Sequence, residues 1–225
     1  MYPKETNQKT LPEVIKSVID KADLGIKTIN NQESLCCGMA FASKGYHKQS
    51  IQLSEKLYNA IRVNIKSKDT PVLFDTSPCA MHFMDFIRTN HKEEIKVCDP
   101  VEFAHLHLAG KVDFGKIPET ILLHPVCSVK RNNYADKLSA IVHLCAENVI
   151  VTEPVGCCGF AGDKGIKIPE LNKSALSELP LEHYAGCREG YSTSRMCEIG
   201  MTRELAVPFN SIFYLLDKSI ISKKK

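Results

Sequence analysis

The chain has 225 residues, of which 44% are hydrophobic and 24% charged, and its formal net charge is +3. A charge this small and this scattered does not indicate a nucleic-acid partner, and the only basic run, Lys223-Lys224-Lys225, is interpreted as a solvated tail. No segment reaches the roughly 20 apolar residues that a bilayer crossing needs, and the start has no apolar signal-peptide core. We therefore expect a globular protein of the reducing cytosol.

Ten cysteines are many for such a compartment. Cellular thiol systems keep ordinary disulfides reduced there, so this number favours metal or redox chemistry over a disulfide framework. Two adjacent pairs, Cys36-Cys37 and Cys157-Cys158, are each followed by glycine. A disulfide between neighbours would strain the backbone, whereas both thiolates of a pair can face one metal. Cys98 and Cys145 lie in apolar surroundings and are interpreted as small buried hydrophobes.

The first half of the chain predicts a helix over residues 11–22 and a strand near residues 25–29, before the first cysteine pair. A further helix should carry Cys79 in its first turn, with Thr76 or Ser77 as its cap and Pro78 in its first turn. The helix dipole stabilises a thiolate at such a position.

The second half predicts a strand over residues 120–126, a helix over 130–146 and a strand over 148–155 that runs into the second cysteine pair. Strand-helix-strand units form parallel sheets whose ligands gather at the carboxyl ends of the strands. Cys127 and the pair at Cys157 should therefore share one edge of the sheet. Cys197, like Cys79, should lie in the first turn of a helix, after a Ser or Thr cap.

The two halves are near-duplicates. LCCGMAFASKG around the first pair matches GCCGFAGDKG around the second, and DTSPCAMHFM around Cys79 matches STSRMCEIGM around Cys197. Because a repeat indicates copies of one structural unit, we predict an α/β protein with two tandem strand-helix units and parallel sheets, over residues 1–112 and 113–225. The first unit lacks an opening strand and its cysteine, so we expect the chain to begin partway through a repeat of a longer polypeptide or split gene product.

Four further residues are candidates for roles around a sulfur centre. Gly38 and Gly159 allow a tight turn, after which helix amides can donate to anionic sulfur. His124 could donate an N–H to a cluster sulfur, or could be an ordinary packed histidine. Cys187, in a glycine-containing loop, is either a substitute ligand or a free thiol.

These motifs resemble a known family of cysteine-rich repeats. The cysteine pairs, together with DTSPCAMHF, HPVC, VGCCGFAGDKG and CREGYSTSRMCEIGM, are similar to the CCG repeats at the carboxyl end of FAD-linked oxidases of the D-lactate dehydrogenase type. More distant relatives of the repeat are the cysteine-rich subunit of heterodisulfide reductase and the iron-sulfur subunits of glycolate oxidase and anaerobic glycerol-3-phosphate dehydrogenase. The resemblance implies the iron-sulfur electron-transfer portion of a flavin-linked 2-hydroxy acid dehydrogenase.

The family pattern consists of an upstream cysteine, the CCG pair and a closing Cys-x-x-Cys. By this resemblance the second unit holds a [4Fe-4S] cluster, with Ser194 at the position of the first closing cysteine. The implied cluster ligands are Cys127, Cys157, Cys158 and Cys197. The first unit matches less completely, because Thr76 stands at its first closing position and the upstream cysteine is absent. Its implied metal ligands are Cys36, Cys37 and Cys79.

The resemblance also implies partners. A flavin domain is not found in these residues, so FAD is expected only in a missing amino-terminal part or in a partner flavoprotein subunit, and the chain itself is assigned no catalytic residue. A quinone or cytochrome is the implied electron acceptor, with peripheral association at the inner face of the membrane.

Two alternatives remain open from the residues. Three or four cysteines can hold zinc tetrahedrally, which would make the chain a zinc-stabilised module that recruits a flavoprotein subunit. A thiol-disulfide redox protein is the other alternative, with the second pair or Cys187 cycling through a disulfide.

Overall fold

A computed structural model of the chain describes residues 9–91, 95–153 and 156–223. Over these ranges the chain forms a mixed α/β fold, which confirms the predicted class. The α-helices are α1 (Leu11–Lys21), α2 (Met39–Ala42), α3 (His47–Arg62), α4 (Ser77–Asn90), α5 (Pro100–Phe103), α6 (Cys127–Arg131), α7 (Ala135–Cys145), α8 (Lys164–Lys167), α9 (Pro169–Ala175), α10 (Arg195–Leu205) and α11 (Ile212–Ser219). In the described part of the chain, none of the helices combines the length and the apolar character that crossing a membrane demands.

Short helical turns of other types lie at Gln32–Ser34 and Leu181–Tyr184, both 3-10, and at Ala104–Leu108, a π-helix. The strands are β1 (Val72–Leu73), β2 (Val97–Cys98), β3 (Val112–Phe114), β4 (Ile117–Leu123), β5 (Ala146–Val151), β6 (Glu189–Ser192), β7 (Phe209–Ser211) and β8 (Ile220–Lys223). Strands β1 and β2 form a parallel pair, β3 and β8 an antiparallel pair, and the largest sheet is parallel with the order β5-β4-β6-β7.

Strand β4 lies inside the largest sheet because its carboxyl-terminal half is wholly apolar. Leu122 and Leu123 are fully buried, and they pair with Ile150 and Val151 of β5 on one side. On the other side the same two residues pair with Gly190 and Tyr191 of β6. Continuous apolar runs of this kind are typical of strands covered on both faces of a parallel sheet. The loops that leave β4, β5 and β6 therefore emerge side by side.

The helix predicted over residues 130–146 is two helices. Asn133 adopts a left-handed backbone conformation, with φ 57°, which ends α6 and allows α7 to start in a new direction. Asparagine tolerates this conformation better than most residues, a turn signal that the apolar periodicity concealed. The two strands that flank this segment form as β4 and β5 with shifted ends, and residues 154 and 155 lie outside the described ranges.

The strand predicted near residues 25–29 is wrong, since these residues form neither strand nor helix. In the second half the equivalent strand, β5, lies at the edge of its sheet and pairs only with β4. No strand equivalent to β4 occurs within residues 9–71, so the segment has no neighbour with which to pair. Helix α1, predicted just before this segment, is present.

The larger hydrophobic core takes residues from both halves. Helix α1 packs against α11, so that Val14 and Val18 are buried in one core with Phe213 and Leu216. An ion pair between Lys21 and Asp217, at 2.9 Å, fixes the same contact. A smaller core around Ile61, Phe83 and Phe86 belongs to the first half alone. The division at residue 112 stays a prediction of the repeat.

Candidate metal centre

Three neighbouring loops deliver the four cysteines of the second half to one edge of the largest sheet. Cys127 is the first residue of α6, which follows β4. Cys157 and Cys158 lie in the loop after β5, and Cys197 lies in the first turn of α10, which follows β6. Because the carboxyl ends of parallel strands share one edge, the structure brings the cysteines together where the sequence predicts a ligand site.

The sulfur atoms of these cysteines form a continuous row of contacts. The Cys158 thiol donates to the Cys197 sulfur across 3.2 Å. The Cys158 sulfur is also within hydrogen-bonding range of the Cys157 sulfur, to which the Cys127 thiol donates from the other side. Cys158 and Cys197 are buried, whereas Cys127 and Cys157 are exposed. The row therefore runs from the protein interior to the surface.

Hydrogen bonding divides the four thiols into proton donors and thiolates. The hydrogen bond from Cys127 lowers the pKa of Cys157 to about 2, and the hydrogen bond from Cys158 lowers the pKa of Cys197 to about 5. The pKa of Cys127 and that of Cys158 are raised by the same hydrogen bonds and by burial. Two thiolates are therefore stabilised before any metal is bound, and thiolate is the form that binds metals.

Backbone amides also point at the sulfur atoms of both cysteine pairs. The Gly159 amide donates to the Cys157 sulfur across 3.4 Å, and the Gly38 amide donates to the Cys36 sulfur across the same distance. The second cysteine of each pair accepts an amide in the same way, Cys158 from Phe160 and Cys37 from Met39. The two halves thus share one backbone arrangement that stabilises negative charge on sulfur.

Glycine is required after each pair for two reasons. Gly38 and Gly159 have φ angles of +87° and +69°, in the left-handed region that favours glycine. A Cβ at Gly38 would lie 2.4 Å from the Ser50 carbonyl oxygen, and a Cβ at Gly159 would lie 2.5 Å from the Leu171 carbonyl oxygen. The turn thereby brings the first pair close against α3 and the second pair close against α9.

Two buried polar side chains hold the pairs in place, and sequence reasoning missed both of them. The Ser54 hydroxyl donates to the Cys37 carbonyl across 2.7 Å, and the Asn172 amide donates to the Cys158 carbonyl across 2.6 Å. Both side chains are fully buried. The equivalence of Ser54 and Asn172 is not visible in the sequence, because the two residues differ in type and in their distance along the chain from the cysteine pairs. It depends on how the helices pack.

His124 lies against the buried end of the sulfur row. Its Nδ1 is 2.8 Å from the Thr152 hydroxyl, while its Nε2 is buried without a hydrogen-bond partner among the described residues. One ring nitrogen of His124 and the sulfurs of Cys158 and Cys197 all lie within 4.8 Å of one another. This group is close enough to hold a metal ion.

Thr76 and Ser194 occupy the N-cap positions of α4 and α10, but neither makes the capping hydrogen bond that the sequence predicts. The Thr76 hydroxyl instead lowers the pKa of Cys79, and the Ser194 hydroxyl lowers that of Cys197, each through a hydrogen bond to the sulfur. Each hydroxyl thus donates its proton to the sulfur three residues later, whereas capping would require the hydroxyl oxygen to accept a hydrogen bond from a helix N–H.

The cysteines of the first half make a smaller group. The Cys37 thiol donates to Cys79, and this hydrogen bond lowers the pKa of Cys79 to about 7. Cys36 lies close enough for its charge to raise the pKa of Cys37. Within the described ranges, however, the metal-sized group of three ligands occurs in the second half and not here.

Cys187 lies apart from both groups. It follows the 3-10 turn at Leu181–Tyr184, its amide donates to the Tyr184 carbonyl across 3.0 Å, and burial raises the pKa of its thiol. No contact between this thiol and the four clustered thiols is found in the part of the chain that the structure describes. Its role as a substitute ligand stays a prediction.

A buried acid next to the centre was also missed from the sequence. Burial raises the pKa of Glu198 to about 7, although an ion pair with Arg195 at 3.1 Å opposes the shift. Asp75, from the loop before α4, is near enough to raise the pKa of Glu198 further. The side chain of Glu198 is 4% exposed.

The donor set of the second half fits a metal or an iron-sulfur centre. Thiolate with imidazole is the ligand combination of zinc sites and of several iron-sulfur centres. The Nε2 of His124 lies beside this group without an aligned hydrogen bond among the described residues, although the side chain is close enough to Cys197 to lower the pKa of that thiol. Cys127, Cys157, Cys158, Cys197 and His124 are the residues that would hold such a group.

Comparison with known proteins identifies the domain family of this chain. The model of the CCG cysteine-rich domain matches residues 3–84 and 121–183. "Lactate utilization protein A 1" of Bacillus mycoides (strain KBAB4) is 23% identical to this chain over 183 residues, which cover 74% of this chain and 72% of that protein. With both cysteine pairs inside the matched segments, the chain belongs to the family of CCG cysteine-rich domain proteins.

Proposed function

We propose that this chain is the iron-sulfur electron-transfer portion of a lactate-utilisation system. In this role Cys127, Cys157, Cys158 and Cys197 hold a [4Fe-4S] cluster, which supplies reversible one-electron chemistry when it is bound. The chain's own residues keep the thiolates ready, exclude water from the inner pair and leave the outer pair accessible.

The observation that carries this proposal is the unbroken row of sulfur contacts from Cys127 to Cys197. Four thiols from three loops lie together, and none of the four forms a disulfide. Packing alone gives no reason to stabilise two thiolates within one partly buried row of sulfurs. Four thiolates are the usual ligand number of a [4Fe-4S] cluster.

The gradient of burial supports electron transfer rather than a purely structural role. Cys158 and Cys197 face the core, and Cys127 and Cys157 reach solvent. A redox partner can therefore approach the outer sulfurs, while the inner sulfurs stay dry. We propose that the electron donor is a flavoprotein domain or subunit containing FAD, and that a quinone or cytochrome accepts the electrons.

The relation to lactate is proposed from the similarity to a lactate utilization protein. A flavin-linked 2-hydroxy acid dehydrogenase of the D-lactate type would release electrons that such a module can accept, because the flavin takes hydride from the hydroxy acid. This chain supplies no catalytic residue for that step in the proposal.

Iron and acid-labile sulfide per chain, after oxygen-free purification, test the proposal. The wild type should be brown and contain iron and sulfide in equal amounts, whereas Cys157→Ser should lose most of both. Cys145→Ser is the matched control, since Cys145 is buried on α7 away from the centre. Wild-type protein without iron or sulfide, or a loss as large in the control as in Cys157→Ser, would count against an iron-sulfur centre.

Zinc is a second candidate, favoured by the histidine in the ligand group. Nitrogen and sulfur donors within 4.8 Å of one another match a tetrahedral zinc site. In that case the centre stabilises a module that recruits the flavoprotein. The protein would then be colourless and contain one zinc per chain, and removing zinc would lower its melting temperature.

A further inference from the structure

We propose that His124 is a fifth protein ligand of this centre and binds its metal directly through Nε2, beside the Cys158 and Cys197 sulfurs. This inference rests on the proposed metal centre and deepens it. An N–H donation from His124 to a cluster sulfur, the role that the sequence suggested, leaves the ring outside the ligand set. Direct binding makes His124 one of the ligands.

The unpaired nitrogen is the first argument. His124 is 1% exposed, and its Nε2 has no hydrogen-bond partner among the described residues. A buried polar atom left unpaired costs about 1–3 kcal/mol. Solvent cannot reach this atom to offset the cost. A bond from Nε2 to a metal would remove this cost.

The other ring nitrogen gives the second argument. Nδ1 of His124 is 2.8 Å from the hydroxyl of Thr152, which is itself fully buried. The Thr152 amide donates to the Leu123 carbonyl across 2.9 Å, so the edge of the sheet fixes the hydroxyl. Metal-binding histidines usually donate their second ring N–H to an oxygen in this way. With the proton on Nδ1, Nε2 presents its lone pair.

The position of the ring gives the third argument. The ligand atoms of a tetrahedral site with metal–sulfur bonds of about 2.3 Å lie about 3.5–4 Å apart. The Cys158 and Cys197 sulfurs are 3.2 Å apart, and the His124 nitrogen is within 4.8 Å of both. The His124 side chain lies within hydrogen-bonding range of the Cys197 sulfur and lowers the pKa of that thiol, although the contact lacks the alignment of a regular N–H···S hydrogen bond. The sulfur–sulfur distance is slightly shorter than in a tetrahedral site, and the same proximity brings a ring nitrogen of His124 within reach of a metal that Cys158 and Cys197 share.

Cobalt(II) is the probe for the test, because its X-ray absorption distinguishes imidazole from thiolate ligands. The full chain is freed of metal without oxygen and loaded with cobalt. We expect imidazole scattering in the wild type and its loss in His124→Gln. His107→Gln is the matched control, since His107 also has a buried and unpartnered Nε2 but lies on the π-helix after α5.

Thr152→Val tests the positioning of the ring. Loss of the hydroxyl should weaken cobalt binding about 10- to 100-fold, as is usual for a residue that orients a metal ligand. The imidazole signal should persist in cobalt-saturated Thr152→Val, because His124 itself is unchanged. A melting curve of each metal-free variant separates a weakened site from an unfolded chain.

The wild-type spectrum decides the inference even if a variant fails to fold. A shell of sulfur alone, no cobalt binding, or an imidazole signal that persists in His124→Gln would overturn it. These outcomes are separate from those of the iron assay. Protein that lacks iron and sulfide yet binds cobalt through an imidazole overturns the iron-sulfur proposal and leaves the histidine ligand standing.

Discussion

The Ser77 hydroxyl forms a hydrogen bond of 2.8 Å with the Thr193 hydroxyl, and the Ser77 amide donates to the Thr193 carbonyl across 2.9 Å. Ser77 is the first residue of α4, and Thr193 lies two residues before α10. The helices that carry Cys79 and Cys197 are therefore joined at their starts. Both residues are buried, so the junction between the halves lies beside both cysteine groups.

We expect Ser77→Ala and Thr193→Val each to lower the free energy of unfolding by about 1–2 kcal/mol. Ser77→Ala leaves the buried Thr193 hydroxyl unpaired, and Thr193→Val removes one of the two hydrogen bonds of the Ser77 hydroxyl, the other being with Asp99. The double variant should lose less than the sum by about 0.5–1.5 kcal/mol, as residues that share a hydrogen bond do. Urea unfolding measures these values, with the exposed Thr89→Ala on α4 as control. Strict additivity would show that the two hydroxyls do not interact.

Asp99 should make stability depend on pH. Burial raises the pKa of this carboxyl, although hydrogen bonds from Ser77 and from the Val101 amide oppose the shift. The folded state holds the proton more tightly than the unfolded state, so this contribution is present at low pH and is lost as pH rises from about 4 through the raised pKa. The slope from this one group is at most about 1.4 kcal/mol per pH unit.

Asp99→Asn should remove the pH-dependent contribution of residue 99 to stability, because asparagine can still cap the helix but does not titrate. The wild type should therefore lose stability relative to the variant between pH 4 and the raised pKa. Urea unfolding at several pH values measures the difference, and Asp85→Asn on the exposed face of α4 is the control. A difference between wild type and Asp99→Asn that is the same at every pH contradicts the prediction.

Gly159→Ala should be more destabilising than Gly162→Ala. Both glycines have nearly the same φ, +69° and +68°, but a Cβ at Gly162 meets open space while a Cβ at Gly159 meets Leu171 and Ala175. Gly162→Ala should cost about 1–2 kcal/mol, the usual cost of the left-handed conformation. The additional loss of unfolding free energy in Gly159→Ala, measured by urea unfolding, reports how closely the cysteine pair approaches α9. Equal losses of unfolding free energy in the two variants would argue against that close approach.

Thiol labelling of the metal-free chain should begin at Cys157. This cysteine is exposed and its pKa is lowered to about 2, so it is a thiolate at pH 6. Cys98 and Cys145 are buried, and burial raises the pKa of each to about 12. Mass spectrometry after brief alkylation at pH 6 should find Cys157 modified well before Cys187, and bound metal should protect Cys157. Equal rates for Cys157 and Cys187 would contradict the hydrogen-bonded thiolate.

Ser194→Cys should strengthen metal binding. The Ser194 hydroxyl already contacts the Cys197 sulfur, and a thiol there would create the closing Cys-x-x-Cys that the sequence resemblance implies. We expect slower loss of iron to a chelator than in the wild type. Ser211→Cys, at the N-cap of α11, is the control for adding a thiol near a helix start. An unchanged rate of iron loss in Ser194→Cys would place residue 194 outside bonding reach of the metal.

Several features were readable in the sequence because they are set by a few adjacent residues. The repeated cysteine pairs, the required glycines and the apolar strand β4 each depend on local patterns of this kind. The helix starts at Thr76 and Ser194 were also predicted, since Ser and Thr favour N-cap positions. The direction of their hydroxyls was not, because it depends on where the sulfur three residues later points.

What the sequence alone determined is therefore the α/β class, the duplication and the grouping of cysteines after parallel strands. Only the tertiary structure decided that His124 meets Cys158 and Cys197, that Asn172 holds the second pair, and that the segment over residues 25–29 has no strand to join. The reason is physical. Local turns and periodicities arise from neighbours along the chain, whereas ligand distances and strand partners depend on sheet register and helix packing between residues far apart in sequence.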